Sequence, residues 1–174
     1  CCSYYDSVPL LIITGQVSTF RMSGKTGVRQ IGFQETPITN IVKEITKYST
    51  TLTKAEDIKS ELEKAFFIAK EGRPGPVLID IPDNLQREII EGDKLKGFEQ
   101  DITIKRVFPD STELIDDFLN EIRKSQRPVV VAGWGIHLSK TEDEFIKFID
   151  KFQLPVALTW GASDLLESDN KFYI

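Results

Sequence analysis

Continuous apolar runs alternate with helical stripes along the first half of the chain. Residues 8–15 are apolar and β-branched, which predicts a parallel strand that is covered on both faces and central in its sheet. Residues 76–82 form a second such run after a Pro-Gly turn. Between them, apolar positions at helical spacing predict a helix within 36–45 and a clearer one over 54–70, ended by Gly72. This order predicts an α/β fold of parallel-sheet layers with flanking helices.

The same alternation restarts after a charged, irregular stretch. A helix that begins at Ser111 has its apolar positions on one face. A strand, a glycine turn, a helix and a strand follow, at 129–132, 133–135, 141–152 and 155–159. This is the order of a right-handed βαβ unit. We therefore predict two domains, residues 1–90 and residues 111–174, joined by a linker over 91–110.

Composition narrows the classes of function. With 40% hydrophobic residues and a net charge of −5, the chain has no basic face for phosphates, so nucleic acid is not expected as a partner. The longest apolar stretch, Val8 to Ile13, is far shorter than a membrane-spanning helix, so no membrane association is expected. Cys1 and Cys2 are adjacent, which suits neither a disulfide framework nor metal ligation; a reducing cytoplasm fits best, and no metal ligands are predicted.

Four segments of the chain resemble motifs of one enzyme family and occur in the same order. The run Gly-Arg-Pro-Gly-Pro-Val-Leu-Ile-Asp-Ile-Pro at 72–82 is similar to the segment that closes the pyrimidine-binding domain of acetolactate synthases and their thiamine-dependent relatives. Residues 6–17 resemble that family's strand and Thr-Gly-Gln turn, and residues 32–35 resemble its Phe-Gln-Glu element. Residues 127–135 look like the first strand and glycine turn of its Rossmann-like middle domain.

The resemblance implies a fold, a chemistry and an assembly. Residues 1–90 would be the C-terminal part of the pyrimidine-binding domain, and residues 111–174 the N-terminal part of the central, FAD/ADP-binding-like domain. The parent enzyme would act on a 2-oxo acid with thiamine diphosphate and Mg²⁺ held between two subunits of a homodimer or homotetramer, and FAD is possible. The catalytic glutamate is expected before Cys1 and the Mg²⁺-binding motif after Ile174, so this chain alone is expected to be inactive and to associate.

The same resemblance supplies candidate site residues in the first domain. Phe33 and Gln34 match family residues that line the pocket near the thiazolium, where an aromatic wall and an amide position the substrate and the cofactor. The alternative is a loop that leads into a helix and binds no ligand. Glu35 is interpreted as a negative charge near the start of the following helix. Lys47 and Tyr48 are interpreted as ordinary residues at the end of that helix.

Further candidates concern a nucleotide cofactor. Arg73 matches an arginine that contacts FAD in flavin-containing members, or else it is a turn residue paired with a local carboxylate. Gly133 and Gly135 would let a dinucleotide approach the backbone, or they simply form a tight turn. His137, the only histidine, has no nucleophile or second metal ligand near it in sequence and is assigned a surface or loop role.

One departure from the family pattern bears on the substrate. Acetolactate synthases carry a lysine directly after the proline that closes the 72–82 run, whereas this chain has Asp83 followed by Asn84. The reversed charge favours a thiamine-dependent decarboxylase or carboligase of unassigned substrate. Two alternatives remain: a true FAD-containing acetolactate synthase, and a non-catalytic nucleotide-binding module.

Overall fold

The chain folds into two compact units. The computed structural model describes residues 1–24, 26–99 and 111–174. Its contacts divide the chain into Cys1–Ile104 and Lys105–Ile174, a division that falls inside the stretch predicted as a linker. The domain bounds proposed from the sequence remain a prediction, since much of that linker lies outside the described residues.

The first unit is a parallel sheet with short flanking helices. Its three strands, in the spatial order β1-β3-β2, are β1 (Leu10–Gln16), β2 (Tyr48–Thr51) and β3 (Pro76–Pro82). Its helices are α1 (Cys2–Tyr5), α2 (Ile38–Val42), α3 (Ile58–Lys70) and α4 (Asp83–Gln86). Short 3₁₀ turns occupy Thr19–Arg21, Lys43–Ile45, Ala55–Asp57 and Gly92–Lys94. The α/β fold class predicted from the sequence is confirmed.

The central strand is β3, so the prediction that the first apolar run is central is wrong. β3 pairs with β1 on one side, from Leu10 opposite Pro76 onward, and with β2 on the other. In the described part of the sheet β1 is an edge strand, and the Ile13 side chain is 57% exposed. An apolar run indicates side chains that favour burial, but it does not indicate how many strands pair with that run.

Strand β2 was not predicted. Tyr48-Ser49-Thr50-Thr51 has neither an apolar run nor an apolar alternation, and Lys47 and Tyr48 were assigned to the end of a helix. The structure pairs Tyr48 with Val77 and Thr51 with Asp80, in parallel. The β-branched threonines suit a strand, but the pairing with β3 is a long-range contact that local pattern does not reveal.

Helix α3 covers one face of the sheet. Ala65 and Ala69 are buried against Val77 and Ile79, and these small side chains let the helix lie close to β3. Lys47 donates from Nζ to carbonyl oxygens at the end of α3. Gly72 then turns the chain with a left-handed φ of 65°, so the predicted end of the helix is confirmed.

The second unit is the predicted βαβ arrangement with an additional short helix. Its elements are α5 (Thr112–Lys124), β4 (Val130–Ala132), α6 (Gly135–Ser139), α7 (Glu142–Phe152) and β5 (Val156–Leu158), then a 3₁₀ turn at Trp160–Ala162. β4 and β5 are parallel, with Val130 opposite Val156. The core of the unit surrounds Phe145, Ile149 and Val156.

The apolar face predicted for α5 is only partly covered. Ile122 packs against the core of the second unit, whereas Leu114 and Phe118 are 68% and 55% exposed. Phe118 stacks on Phe148 of α7, with ring centroids 6.3 Å apart. Among the described helices, none is long and apolar enough to cross a membrane.

Candidate functional site

A cleft lies at the carboxyl end of β1, where parallel α/β sheets commonly bind ligands. Its volume is about 440 Å³. The lining residues come from the end of β1, the following loop and the start of α2: Thr14, Gly15, Gln16, Val17, Phe33, Gln34, Thr36 and Ile38. Both residues that the sequence analysis assigned to catalysis, Phe33 and Gln34, therefore line the same cleft.

Phe33 and Gln34 are held in unusual states for their residue types. The Phe33 side chain is 84% exposed at the cleft. Gln34 has a left-handed φ of 62°, a conformation that is uncommon outside glycine. Its carbonyl oxygen accepts a hydrogen bond from Oγ1 of Thr36 at 3.2 Å, and its side-chain amide has no partner among the described residues. An exposed ring and an unpaired amide beside a strained backbone are features that commonly mark ligand sites.

The floor of the cleft rests on a buried carboxylate. Asp80, in β3, is 1% exposed. Its Oδ1 accepts from Oγ1 of Thr14 at 2.7 Å, and its Oδ2 accepts from Nε2 of Gln16 at 2.9 Å and from Oγ1 of Thr51 at 3.3 Å. Neutral donors from the flanking strands β1 and β2 thus satisfy this carboxylate and join the three strands at their carboxyl ends.

Gln16 connects that network to both ends of the loop above it. We call residues 17–35, between β1 and α2, the cleft loop. The Oε1 atom of Gln16 accepts from the backbone N–H of Val17 at 3.0 Å, and its Nε2 donates to the carbonyl oxygen of Thr36 at 2.7 Å. Val17 begins the cleft loop and Thr36 directly follows it, so one amide fixes the separation of the two ends.

Glu35 closes the cleft loop on itself. Its carboxylate accepts from the backbone N–H and the hydroxyl of Ser23, both at 2.6 Å, and from the N–H of Ile31 at 3.0 Å. The hydrogen bonds from Ile31 and then Ser23 lower the pKa of Glu35 below its usual value. The interpretation of Glu35 as a charge at a helix start is therefore wrong, because α2 begins at Ile38 and the carboxylate is bound within the loop.

The residues after β3 also contact the cleft loop. The backbone N–H of Thr19 donates to Oδ1 of Asn84 at 2.8 Å, and Nδ2 of Asn84 donates to Oγ1 of Thr19 at 3.1 Å. Asp83, the residue that departs from the family pattern, pairs instead with Arg87 at 2.8 Å on the surface. Asp83 is not among the residues that line the cleft.

Arg73 is bound by the start of its own unit. Its Nε donates to Oγ of Ser7 at 2.7 Å and its Nη2 donates to the carbonyl oxygen of Tyr5 at 3.1 Å. Both of these acceptors are neutral, so no carboxylate of the described residues pairs with Arg73, contrary to the alternative interpretation. Arg73 lines a smaller cleft of about 250 Å³, and its contact with FAD remains a prediction.

Gly133 and Gly135 lie in the second unit, between β4 and α6. Neither has a positive φ, so the turn does not need glycine for its backbone conformation. A Cβ on Gly133 would lie 3.5 Å from Oγ1 of Thr159, an ordinary contact, and a Cβ on Gly135 would meet nothing within 4 Å. These glycines belong to the second unit, whereas Phe33 and Gln34 belong to the first. Dinucleotide binding at the glycines stays a prediction.

His137 joins elements of the second unit. Its Nδ1 lies 2.9 Å from Oε1 of Glu142 and its Nε2 lies 3.0 Å from Oδ1 of Asp164. The hydrogen bond with Glu142, and then that with Asp164, raises the pKa of His137. Its ring centroid is 4.8 Å from that of Trp134. The residue is therefore a structural link, which its isolated position in the sequence did not indicate.

The residues that line the cleft offer groups that would suit one wall of a thiamine diphosphate site. Phe33 offers an exposed aromatic surface and Gln34 an unpaired amide, which suit a heteroaromatic ring and a carbonyl group of a substrate. Across residues 1–24, 26–99 and 111–174, no group of three or more His, Cys, Asp or Glu side chains is arranged to hold a metal ion. The groups that would suit the cofactor are therefore those that line the cleft.

Sequence analysis missed the residues beneath the cleft. Asp80 interrupts the apolar run Val77-Leu78-Ile79, and a charged residue inside a buried strand was a usable signal. Gln16 and Asn84 carried no such signal, because each acts through contacts with residues 64 and 65 positions away.

Comparisons with known proteins found a match over the second unit and relatives that align with most of the chain. Residues 115–174 match the family described as "Thiamine pyrophosphate enzyme, central domain". Over 158 residues the chain is 34% identical to the acetolactate synthase large subunit of Lactococcus lactis, covering 90% of this chain and 26% of that protein. It is 38% identical over 160 residues to acetolactate synthase 1, chloroplastic, of Oryza sativa, covering 88% and 23%. The chain thus spans about a quarter of the length of these relatives.

Proposed function

We propose that the chain is part of a thiamine-diphosphate-dependent enzyme, because residues 115–174 match the family described as the thiamine pyrophosphate enzyme central domain and most of the chain is similar to acetolactate synthases. The enzyme acts on a 2-oxo acid, as a decarboxylase or as a carboligase. The observation that carries the proposal is the placement of Phe33 and Gln34 in one cleft at the carboxyl end of β1.

This chain's own residues have distinct roles in that reaction. Thiamine diphosphate, when bound, supplies the chemistry that cleaves the bond between the carboxylate and the carbonyl carbon of the substrate. Phe33 shields the reacting end of the pocket from water, and the Gln34 amide donates a hydrogen bond to a substrate oxygen. Gln16 lines the cleft beside them, and Asp80, which does not line it, holds Gln16 in place through a hydrogen bond.

Several features of the whole enzyme belong to the same proposal. The active enzyme is a homodimer or homotetramer, as the resemblance to acetolactate synthases implies. Mg²⁺ is its metal ion. A cytoplasmic location is the prediction from the cysteine content, and the rice relative carries the description "chloroplastic".

The two alternatives are less well supported. FAD binding would rest on Arg73, whose Nε and Nη2 already donate to Ser7 and Tyr5. A non-catalytic nucleotide-binding module would rest on Gly133 and Gly135, and neither glycine has a backbone conformation that demands it. Flavin absorbance in the purified complete protein distinguishes the FAD-containing synthase from the proposed enzyme.

Two phenylalanines of the cleft loop provide a matched test of the site. Phe33 lines the cleft and is 84% exposed, whereas Phe20 is 72% exposed and does not line it. In the complete protein we expect Phe33→Ala to lower kcat/KM for pyruvate by about tenfold and Phe20→Ala by less than about twofold. Both variants should keep the unfolding midpoint, because exposed side chains contribute little to stability. Equal effects of the two variants on kcat/KM would contradict the assignment of the cleft.

A further inference from the structure

The cleft loop is tied to the sheet by a reciprocal pair of hydrogen bonds. Asn84 accepts from the N–H of Thr19 at 2.8 Å and donates to the hydroxyl oxygen of the same residue at 3.1 Å. One side-chain amide thus makes both bonds to one residue of the loop. Such a pair fixes orientation as well as distance, since breaking either bond leaves the other poorly aligned.

Asn84 is attached to the buried central strand of the first unit. It lies in α4, which begins directly after β3, and β3 is the buried central strand. Pro82, the last residue of β3, is among the fully buried side chains. The Asn84 side chain therefore projects from a fixed support, and its contact with Thr19 transfers that rigidity to the cleft loop.

Close packing carries the constraint from Thr19 to the pocket residues. Thr19 begins the 3₁₀ turn Thr19–Arg21. Gly32 lies against that turn so closely that a Cβ on Gly32 would be 2.9 Å from the carbonyl oxygen of Arg21. Because Phe33 and Gln34 follow Gly32 directly, their position depends on the position of the turn.

We propose that Asn84 is a positioning residue for the substrate pocket, acting through Thr19 to hold the cleft loop and thereby Phe33 and Gln34. The role of Asn84 at the substrate pocket rests on the proposed function. Its effect on the order of the cleft loop does not. Glu35 closes the loop on itself and Gln16 joins its two ends. Asn84 adds the attachment of the loop's first turn to α4.

The chemistry of the pair provides a conservative rescue. In Asn84→Asp the carboxylate can accept from both the N–H and the hydroxyl of Thr19, so both bonds are kept. In Asn84→Ala both are lost. Arg87→Ala is a matched control in the same region, because it removes a surface ion pair with Asp83 and no contact with the loop.

Hydrogen–deuterium exchange tests the effect on the loop without any assay of activity. We expect Asn84→Ala to speed exchange of peptides from the cleft loop by about tenfold, with α3 and the second unit unchanged. Asn84→Asp and Arg87→Ala should stay within about twofold of the parent protein. Unchanged loop exchange in Asn84→Ala, or the same increase in Asn84→Asp, would overturn the proposal.

Kinetics of the complete protein test the effect on the pocket. With pyruvate as substrate and saturating thiamine diphosphate and Mg²⁺, we expect Asn84→Ala to raise KM about fivefold with a smaller change in kcat. Asn84→Asp should keep the KM of the parent protein. An unchanged KM together with faster loop exchange would overturn the role at the pocket. If the parent protein itself fails to bind thiamine diphosphate, the proposed function fails, and the exchange result still decides whether Asn84 holds the loop.

Discussion

At the scale of single residues, the cleft depends on polar groups inside an apolar sheet. Asp80 is 1% exposed and takes hydrogen bonds from Thr14, Gln16 and Thr51. A buried carboxylate is tolerated when its oxygens are satisfied, and removing it leaves several donors without an acceptor. The same interaction thus stabilises the sheet and fixes the floor of the cleft.

Replacement of Asp80 should destabilise the first unit selectively. We expect Asp80→Ala to lower the free energy of unfolding of that unit by about 3 kcal/mol, because buried donors lose their partner. Thr51→Val, which removes only the longest of the three bonds at 3.3 Å, should cost about 1 kcal/mol or less. Urea unfolding followed by circular dichroism measures both variants.

Tryptophan fluorescence distinguishes the unfolding of the second unit from that of the first in this experiment. Both tryptophans, Trp134 and Trp160, lie in the second unit, so their fluorescence should be unaffected by Asp80→Ala. A variant with the parent's dichroism transition would show that the Asp80 network contributes little to the sheet.

At the scale of elements, the helices and strands with a strong local apolar pattern were the ones that the sequence predicted. The helix at 58–70 and the strand at 76–82 have strong apolar patterns, and the structure contains both. Strand β2 is polar and exists through pairing with β3, so only the fold reveals it. The site divides in the same way. The resemblance to a family predicted Phe33 and Gln34 as site residues, and the structure places both in one cleft. The contact of Asn84 with Thr19 joins residues 65 positions apart, and no local pattern indicates it.

His137 makes the second unit sensitive to pH. It bridges α6, the first residue of α7 and the segment after the last 3₁₀ turn, through Glu142 and Asp164. Glu142 and Asp164 raise the pKa of His137 above its usual 6.5. The stabilisation is therefore fully present below about pH 6.5 and is lost as the pH rises through the higher pKa of the folded state.

We expect the thermal midpoint of the second unit to fall between about pH 6 and about pH 9, as measured by tryptophan fluorescence. His137→Asn should remove most of this dependence, because asparagine does not titrate. The pKa of Glu142 is lowered, so this carboxylate has the opposite effect on stability: its contribution is lost in acid, as the pH falls through the pKa of the folded state. A midpoint equally dependent on pH in the parent and in His137→Asn would show that another group is responsible.

At the scale of the whole molecule, two lines of argument converge. The cleft at the carboxyl end of β1 lies in the first unit, and the match to the thiamine pyrophosphate enzyme central domain lies in the second. The chain spans 22–26% of the lengths of several acetolactate synthases. An assay of the proposed reaction therefore requires the complete protein.

The most direct test of the central claim is carbon dioxide release from pyruvate by the complete protein, with thiamine diphosphate and Mg²⁺ first added and then withheld. We predict release that depends on both. Failure of the complete protein to bind thiamine diphosphate at all would contradict the proposed function. Binding without release would retain the class of enzyme and assign it a 2-oxo acid other than pyruvate.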